Sequence, residues 1–281
     1  LLRLVGHPPG VFMGRGLADL DGGRGVEAGS QVGEDHLENM LVALADPISG
    51  EPLGSGPLSR PGSVPVAGFD LTFSPSKSVS VAWALADEGT KAVIYACHRQ
   101  AVSFVLGFAE DEVFRSRSGR AGVVEEDVSG VVATAFTHWT SRADDPQLHD
   151  HVVVWNRARS VSGDRWRTLD SRAIFKATTT LSELHQGVLS DLVTQALGVG
   201  WEPRGRRHST RPRYEVTGVP ETLMAEFSRL GPTKSPPIGR ARSPPASSPT
   251  AASPPPSSRC AWPRRPPSPP DPTRPISAWP S

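Results

Sequence analysis

The sequence predicts an α+β fold, on three observations. Two strand-like runs, residues 130–138 and 151–156, are separated by a connection short enough for an antiparallel hairpin. A third run rich in apolar and β-branched residues, Val66–Phe73, lies far upstream and alternates as an inner strand does. Segments whose apolar residues recur at helical spacing stand apart from all three.

Taken in order, residues 1–60 are rich in Gly and turn residues. They hold one amphipathic stretch, 34–45, with Leu37, Met40, Leu41 and Leu44 at helical spacing. Asp46-Pro-Ile-Ser-Gly-Glu-Pro ends it. After the strand Val66–Phe73, Ser74-Pro-Ser-Lys-Ser turns into a helix over 76–86, with Ser at the N-cap. Residues 90–111 form a long helix with Val93, Ile94, Cys97, Ala101, Val105 and Phe108 on one face. His98 in this helix is assigned to packing or surface. Residues 115–122 form a basic, Gly-containing turn, open either to phosphate or simply to solvent. Residues 178–197 form a second amphipathic helix, with Leu181, Leu184, Val188, Leu189, Leu192 and Val193 inward and Gly198 closing it. His185 on that helix is read as unrelated to any metal. A last helix covers 221–229.

The 281 residues suffice for one large domain or two small ones. A net charge of +1 conceals a split: residues 231–281 hold seven Lys/Arg and one acid, Asp271, so the first 230 residues are net −5. Charge alone therefore does not point to nucleic acid, and any such contact needs local basic loops. The segment 231–281 also holds 17 of the 29 prolines and is expected to be a disordered tail, since it offers almost no apolar surface to bury. No run of about 18 apolar residues suggests a membrane span. Cys97 and Cys260 are too dissimilar in setting to pair, which fits a reducing cytoplasm. The first residues carry neither a signal-peptide pattern nor an initiating Met, and a fragment is expected.

The most informative stretch runs from His138 to Asn156. His149 and His151 are two apart, so on a strand they project from one face. If the two runs pair antiparallel, His138 meets them, and three imidazoles converge. Such a set suits a divalent metal (Mg, Mn or Zn) with open positions for water or phosphate. The alternative is a strand-capping His138 beside a solvent-facing H-x-H. Downstream, Arg157, Arg159, Arg165 and Arg167 surround a Ser162-Gly-Asp turn with Trp166 beside it. Arginines with an interleaved Trp suit single-stranded DNA, and a soluble hairpin with a core Trp is an equal alternative. Arg204, Arg206 and Arg207 open the most basic run of the folded part, a candidate for DNA backbone contact or a solvated face. Asp70, among Phe69, Leu71 and Phe73, is either a strand's solvent-side acid or a purposeful buried one.

SRADDPQLHDHVVVWN (141–156) resembles the metal-binding signature of conjugative relaxases of the TrwC/MobF type. Gly68-Phe-Asp-Leu-Thr-Phe-Ser-Pro-Ser-Lys-Ser-Val-Ser80 resembles a second block of that family, and the similarity runs in the family's order from about His7 to Arg229. The resemblance implies a relaxase-like domain over 1–230, with an antiparallel sheet and helices packed mainly on one face. It turns the reading of Asp70 towards a supporting acid that orients a metal-bound histidine or assists tyrosine deprotonation. It implies single-stranded DNA at a transfer origin as partner, with other relaxosome proteins besides. It implies a transesterification in which a tyrosine oxygen attacks a phosphodiester and forms a 5′-phosphotyrosine link. His7-Pro-Pro-Gly and Phe12-Met-Gly-Arg-Gly resemble the segment that follows the family's tyrosines, yet no tyrosine occurs before Tyr95. Neither Tyr95 nor Tyr214 matches the family's positions, so the nucleophile is expected to be absent from this chain. Two further readings follow: a non-catalytic metal- and DNA-binding remnant, and a metal-dependent phosphodiester hydrolase. No phosphate-cradling G-x-x-x-x-G-K-[ST] of a helicase region occurs.

Overall fold

The computed structural model describes residues 7–54, 65–141, 144–162, 165–206, 209–228 and 239–242. In chain order the strands are β1 (Val11–Met13), β2 (Val66–Phe73), β3 (Arg115–Ser118), β4 (Val124–Asp127), β5 (Ala133–Thr140), β6 (Pro146–Trp155), β7 (Ala158–Arg159), β8 (Trp166–Arg167), β9 (Trp201–Arg206), β10 (Ser209–Val216) and β11 (Gly239–Arg242). The helices are α1 (Glu34–Glu38), α2 (Lys77–Leu85), α3 (Glu88–Glu112), α4 (Ser171–Leu197) and α5 (Glu221–Glu226).

Five strands form one sheet in the order β1-β5-β6-β2-β11, with each neighbouring pair antiparallel. Period-2 alternation divides the residues of β2, β5 and β6 between two faces. One face presents Phe69, Leu71, Phe73, Ala133, Ala135, Val152 and Val154, and on these pack Val102, Val105, Leu106 and Ala109 of α3 and Ile174 and Leu181 of α4. The two long helices thus cover one face of the sheet, as expected. The other face carries the histidines. It also carries a smaller core in which Phe12, Leu17, Leu20, Met40, Val132 and Trp155 pack together. The Trp155 indole N–H donates to Met40 O at 2.6 Å and ties the α1 region to β6.

The helix ends follow from local chemistry. Asp87 caps α3 by accepting from the amides of Gly89 and Thr90, so the helix begins two residues before the expected 90. α4 begins at Ser171 rather than 178, because Asp170 accepts from Arg172 N and starts the helix upstream. α3 is long enough, and over an 18-residue window apolar enough, to cross a bilayer by length and composition alone. Val102, Val105, Leu106 and Ala109 of this helix lie in the core against the sheet, and Cys97 and Ala101 pack with Leu189 and Val193 of α4. The stretch 34–45 is not one helix: α1 gives way at Asn39 to a wider turn that ends with Leu44 in the left-handed region. Residues 115–122, expected as a turn, open with β3, which pairs with β4.

Glu110 near the end of α3 fixes the entry of the chain. Its buried carboxylate accepts from Arg15 N (2.7 Å) and Val131 N (2.9 Å). The chain passes so close here that a Cβ on Gly14, whose φ is +98°, would lie 2.1 Å from Val131 O. The segment expected to be wholly disordered contributes the edge strand β11, which pairs with β2 from Gly239 opposite Asp70 to Arg242 opposite Val66. The rest of 231–281, with Cys260, lies outside the described residues.

Candidate metal centre

β5 and β6 place the triad by register. His138 stands directly opposite His149, and His151 stands between Phe136 on β5 and Thr72 on β2. All three imidazoles share the face away from α3 and α4, with ring centroids 5.1 to 5.2 Å apart. One ring nitrogen from each lies within 4.8 Å of the others, a spacing that three ligands of one ion require. β6 begins at Pro146, so both histidines lie inside the strand and not at its head.

The hydrogen bonds settle which nitrogens are available. Carbonyl and carboxylate oxygens only accept, so a ring nitrogen bonded to one carries the proton. His149 Nδ1 donates to Gln147 O at 2.8 Å, and His151 Nδ1 donates to Asp70 Oδ2 at 2.8 Å. Both therefore keep a bare Nε2. His138 Nε2 is buried among the described residues with no hydrogen-bond partner. Burial, aided by the neighbouring imidazoles of His149, His151 and His7, pushes His138 down to about 4, and burial also pushes His149 down. Neutral imidazoles with free lone pairs are what a divalent cation needs, and these residues fit one.

Asp70 on β2 reaches His151 diagonally across the strand pair. A carboxylate on the remote nitrogen of a ligating imidazole fixes its tautomer and raises its basicity. The rest of the Gly68–Ser80 block is structural. Lys77 Nζ donates to Pro146 O at 3.0 Å and to Phe227 O, which ties the head of β6 to the end of α5. Ser78 N donates to Glu215 Oε2 (2.8 Å), and Val216 N donates to Ser78 Oγ (2.7 Å), which docks β10 on the start of α2.

A second cluster backs the triad from the helix side. Asp150, between the two ligand positions, projects to the opposite face and is fully buried. Arg99 Nη1 donates to its Oδ2, and His98 Nε2 lies 3.4 Å from its Oδ1. His98 Nδ1 lies 3.2 Å from His185 Nε2, and both rings are buried. Burial opposes the Asp150 charge, but His98, Arg99 and Thr137 outweigh it and hold the carboxyl well below the usual range. Burial pushes His185 down to about 3. His98 is thus a packing residue, as expected, while its link to Asp150 and to His185 had no local signal in the sequence.

The expected DNA contacts are placed as follows. Arg157 is buried, and its pKa is lowered by burial. Arg159 pairs with Asp19 at 2.8 Å, and Arg167 with Glu126 at 3.1 Å. Arg204 is held by Glu202 and by Val219 O at 2.7 Å. Arg165 is exposed. Trp166 is half-buried against Trp155, ring centroids 5.9 Å apart. Arg206 belongs to β9, and Arg207 lies outside the described residues. Tyr95 is half-buried on α3, its Oη 3.4 Å from Thr137 Oγ1 on the helix side of the sheet. Tyr214 is exposed on β10.

Such a chain is an α+β domain whose antiparallel sheet carries, on the face away from its two long helices, three histidines spaced as ligands of one metal ion. Residues 4–230 match the TrwC relaxase family, and the chain belongs to it. It is 36% identical over 172 residues to the multifunctional conjugation protein TraI of Escherichia coli, and 34% identical over 163 residues to that of strain K12. These alignments take in 58% and 54% of this chain but only 9% of either relative. Among solved structures, the conjugative relaxase TrwC with OriT DNA in metal-free form superposes with a TM-score of 0.63 at 27% identity, covering 78% of this chain and 71% of that one. A copper-bound complex gives 0.62 at 26% identity, covering 78% and 69%.

Proposed function

We propose that this chain is the DNA-processing domain of a conjugative relaxase, which holds single-stranded DNA at a transfer origin with a phosphodiester at the histidine triad. The observation that carries this is the triad itself: three imidazoles with one ring nitrogen each within 4.8 Å of the others, one of them braced by Asp70. A relative of the same fold has been captured with OriT DNA in metal-free and metal-bound forms. When bound, a divalent cation supplies Lewis-acid polarisation of a phosphate oxygen. Three nitrogen ligands favour an imidazole-seeking ion such as Zn²⁺ over the oxygen-seeking Mg²⁺. His138, His149 and His151 would hold the ion, and Asp70 would keep His151 in its ligating tautomer.

In the intact reaction a tyrosine oxygen replaces the 3′-oxygen at phosphorus, which forms a 5′-phosphotyrosine link and releases a 3′-hydroxyl. The second reading, binding without cleavage by a polypeptide of these 281 residues, is favoured by the two tyrosines. Tyr95 is turned to the reverse side of the sheet, where burial raises its pKa. Exposed Arg165 beside Trp166 is our candidate for DNA contact among the described arginines read from the sequence. A cytoplasmic location and further relaxosome partners belong to the same proposal.

The test is fluorescence anisotropy with one labelled oligonucleotide, single-stranded and as a duplex, beside calorimetric titration of Mn²⁺ into the parent and His149→Ala. The expected result is at least tenfold tighter binding of the single strand, and metal binding by the parent that is lost in His149→Ala. Equal affinity for both strand forms, or equal metal affinity in both proteins, would sink the reading.

A further inference from the structure

We propose that His7 is a fourth imidazole of the site, one that contacts phosphate and not the metal, by donating Nε2–H to a non-bridging oxygen of the phosphodiester held at the triad. The proposal rests on the functional reading above and adds a residue to it.

His7 lies just before β1, which runs antiparallel along β5 from Val11 opposite Ala135 to Met13 opposite Ala133. Continuing that register backwards brings His7 alongside Trp139, next to the first ligand. The contacts agree: the His7 ring centroid is 5.1 Å from that of His138, and His7 Nδ1 accepts from Trp139 N at 3.2 Å.

That hydrogen bond assigns the role. A backbone N–H can only donate, so His7 Nδ1 carries a lone pair and the neutral ring carries its proton on Nε2. His149 and His151 are pinned by acceptors and therefore present a bare Nε2. The same rule that makes those two rings ligands makes His7 a donor. To ligate through Nε2 it would have to give up the Trp139 bond. The ring is also held by stacking. It lies 6.4 Å from the Trp139 ring at an interplanar angle of 24°, and Trp139 stacks on Trp83 at 5.0 Å and 13°. His7 is only partly buried, so a ring held by the Trp139 bond and by stacking is still reached by solvent. A preorganised donor beside a bound anion contributes without reorganisation when the anion arrives. If His7 only filled the stack, a phenyl ring would replace it without effect.

The experiment uses the full chain labelled with ¹⁵N-histidine and loaded with Zn²⁺. Two phosphodiester probes are titrated, dimethyl phosphate and a single-stranded oligonucleotide, into the parent, His7→Phe and His7→Gln. Zn²⁺ affinity is measured in parallel with His149→Ala as reference. The expected results are an Nε2–H tautomer for His7 and a shift of that resonance on addition of dimethyl phosphate. Affinity for both probes should weaken about tenfold in His7→Phe, the order of one hydrogen bond to an anion. It should largely recover in His7→Gln, whose amide N–H stands near the position of Nε2. Zn²⁺ affinity should match the parent in both variants. An Nδ1–H tautomer overturns the proposal. So does a loss of Zn²⁺ affinity in His7→Phe as large as that of His149→Ala, which would make His7 a ligand. So does unchanged phosphodiester affinity in His7→Phe, or a parent that binds neither probe. If dimethyl phosphate binds through His7 while the oligonucleotide does not bind, the role of His7 stands and the DNA reading falls.

Discussion

At His151 the metal centre depends on a residue 81 positions earlier in the chain. Asp70 accepts the Nδ1–H hydrogen bond of His151, so its removal frees the ring to turn and to change tautomer. Asp70→Ala should weaken Mn²⁺ binding about 10- to 100-fold while leaving the ligands in place, as loss of an outer-shell partner commonly does. Calorimetric titration checks this, and an affinity equal to the parent's would remove Asp70 from the site. The depressed histidines set an acid limit. His138 at about 4 and His185 at about 3 stay neutral in the fold, while an unfolded chain protonates them near 6.5. Below that pH the unfolded state binds more protons, so stability is full above about pH 6.5 and is lost as pH falls through the folded values. The thermal midpoint of metal-free protein should be level from pH 7 to 8 and should fall from 6 to 4. His138→Gln should flatten the upper part of that fall, and a midpoint that rises on acidification would contradict the account.

Between elements, the Arg99–Asp150 pair joins α3 to β6 at the residue that separates two metal ligands. Asp150 is fully buried, so removing its cation leaves a charge in the interior. Arg99→Met should cost about 3–5 kcal/mol in urea unfolding, the usual penalty for an orphaned buried ion. A loss below about 1 kcal/mol would mean that His98 and Thr137 satisfy the carboxylate unaided. This pair also marks the limit of what the sequence makes legible. The triad is legible because strands alternate with period 2 and because a short connection places His138 opposite H-x-H. The long helices are legible from apolar periodicity. Arg99 and Asp150 carry no such signal, for they lie 51 residues apart on different elements and each looks like a solvated charge. The same blindness affects Arg159 and Arg167, whose acids, Asp19 and Glu126, come from elsewhere in the chain. The start of β6 is not legible either: its β-branched run begins only at Val152, whereas the strand reaches back to Pro146, a residue tolerated at the first position of a strand.

Across the whole molecule, the entry of the chain beside the triad decides whether the site can do covalent chemistry. β1 lies next to β5, and His7 touches both His138 and Trp139. Within these 281 residues the tyrosines are Tyr95 and Tyr214. Tyr95 is anchored through Thr137 behind the sheet, and its raised pKa disfavours the phenolate. Tyr214 belongs to β10, which is paired only with β9 among the described strands and stands outside the five-stranded sheet. Neither is among the residues whose contacts build the triad, which are His138, His149 and His151 with Asp70. A phenol held in line contributes proximity worth an effective molarity of roughly 10⁵ M or more, which free water cannot match. A polypeptide of these residues, incubated with single-stranded oligonucleotide and Mn²⁺, should therefore yield no denaturation-resistant adduct by mass spectrometry. The same polypeptide with a tyrosine-bearing segment of a related relaxase fused ahead of Leu1 should yield one, provided its origin sequence is supplied. That adduct should disappear in His149→Ala. An adduct from the unfused chain would assign the nucleophile to Tyr95 or Tyr214 and would require one of them to leave its present setting. Free hydrolysed ends without an adduct would instead favour water as the nucleophile and a hydrolase.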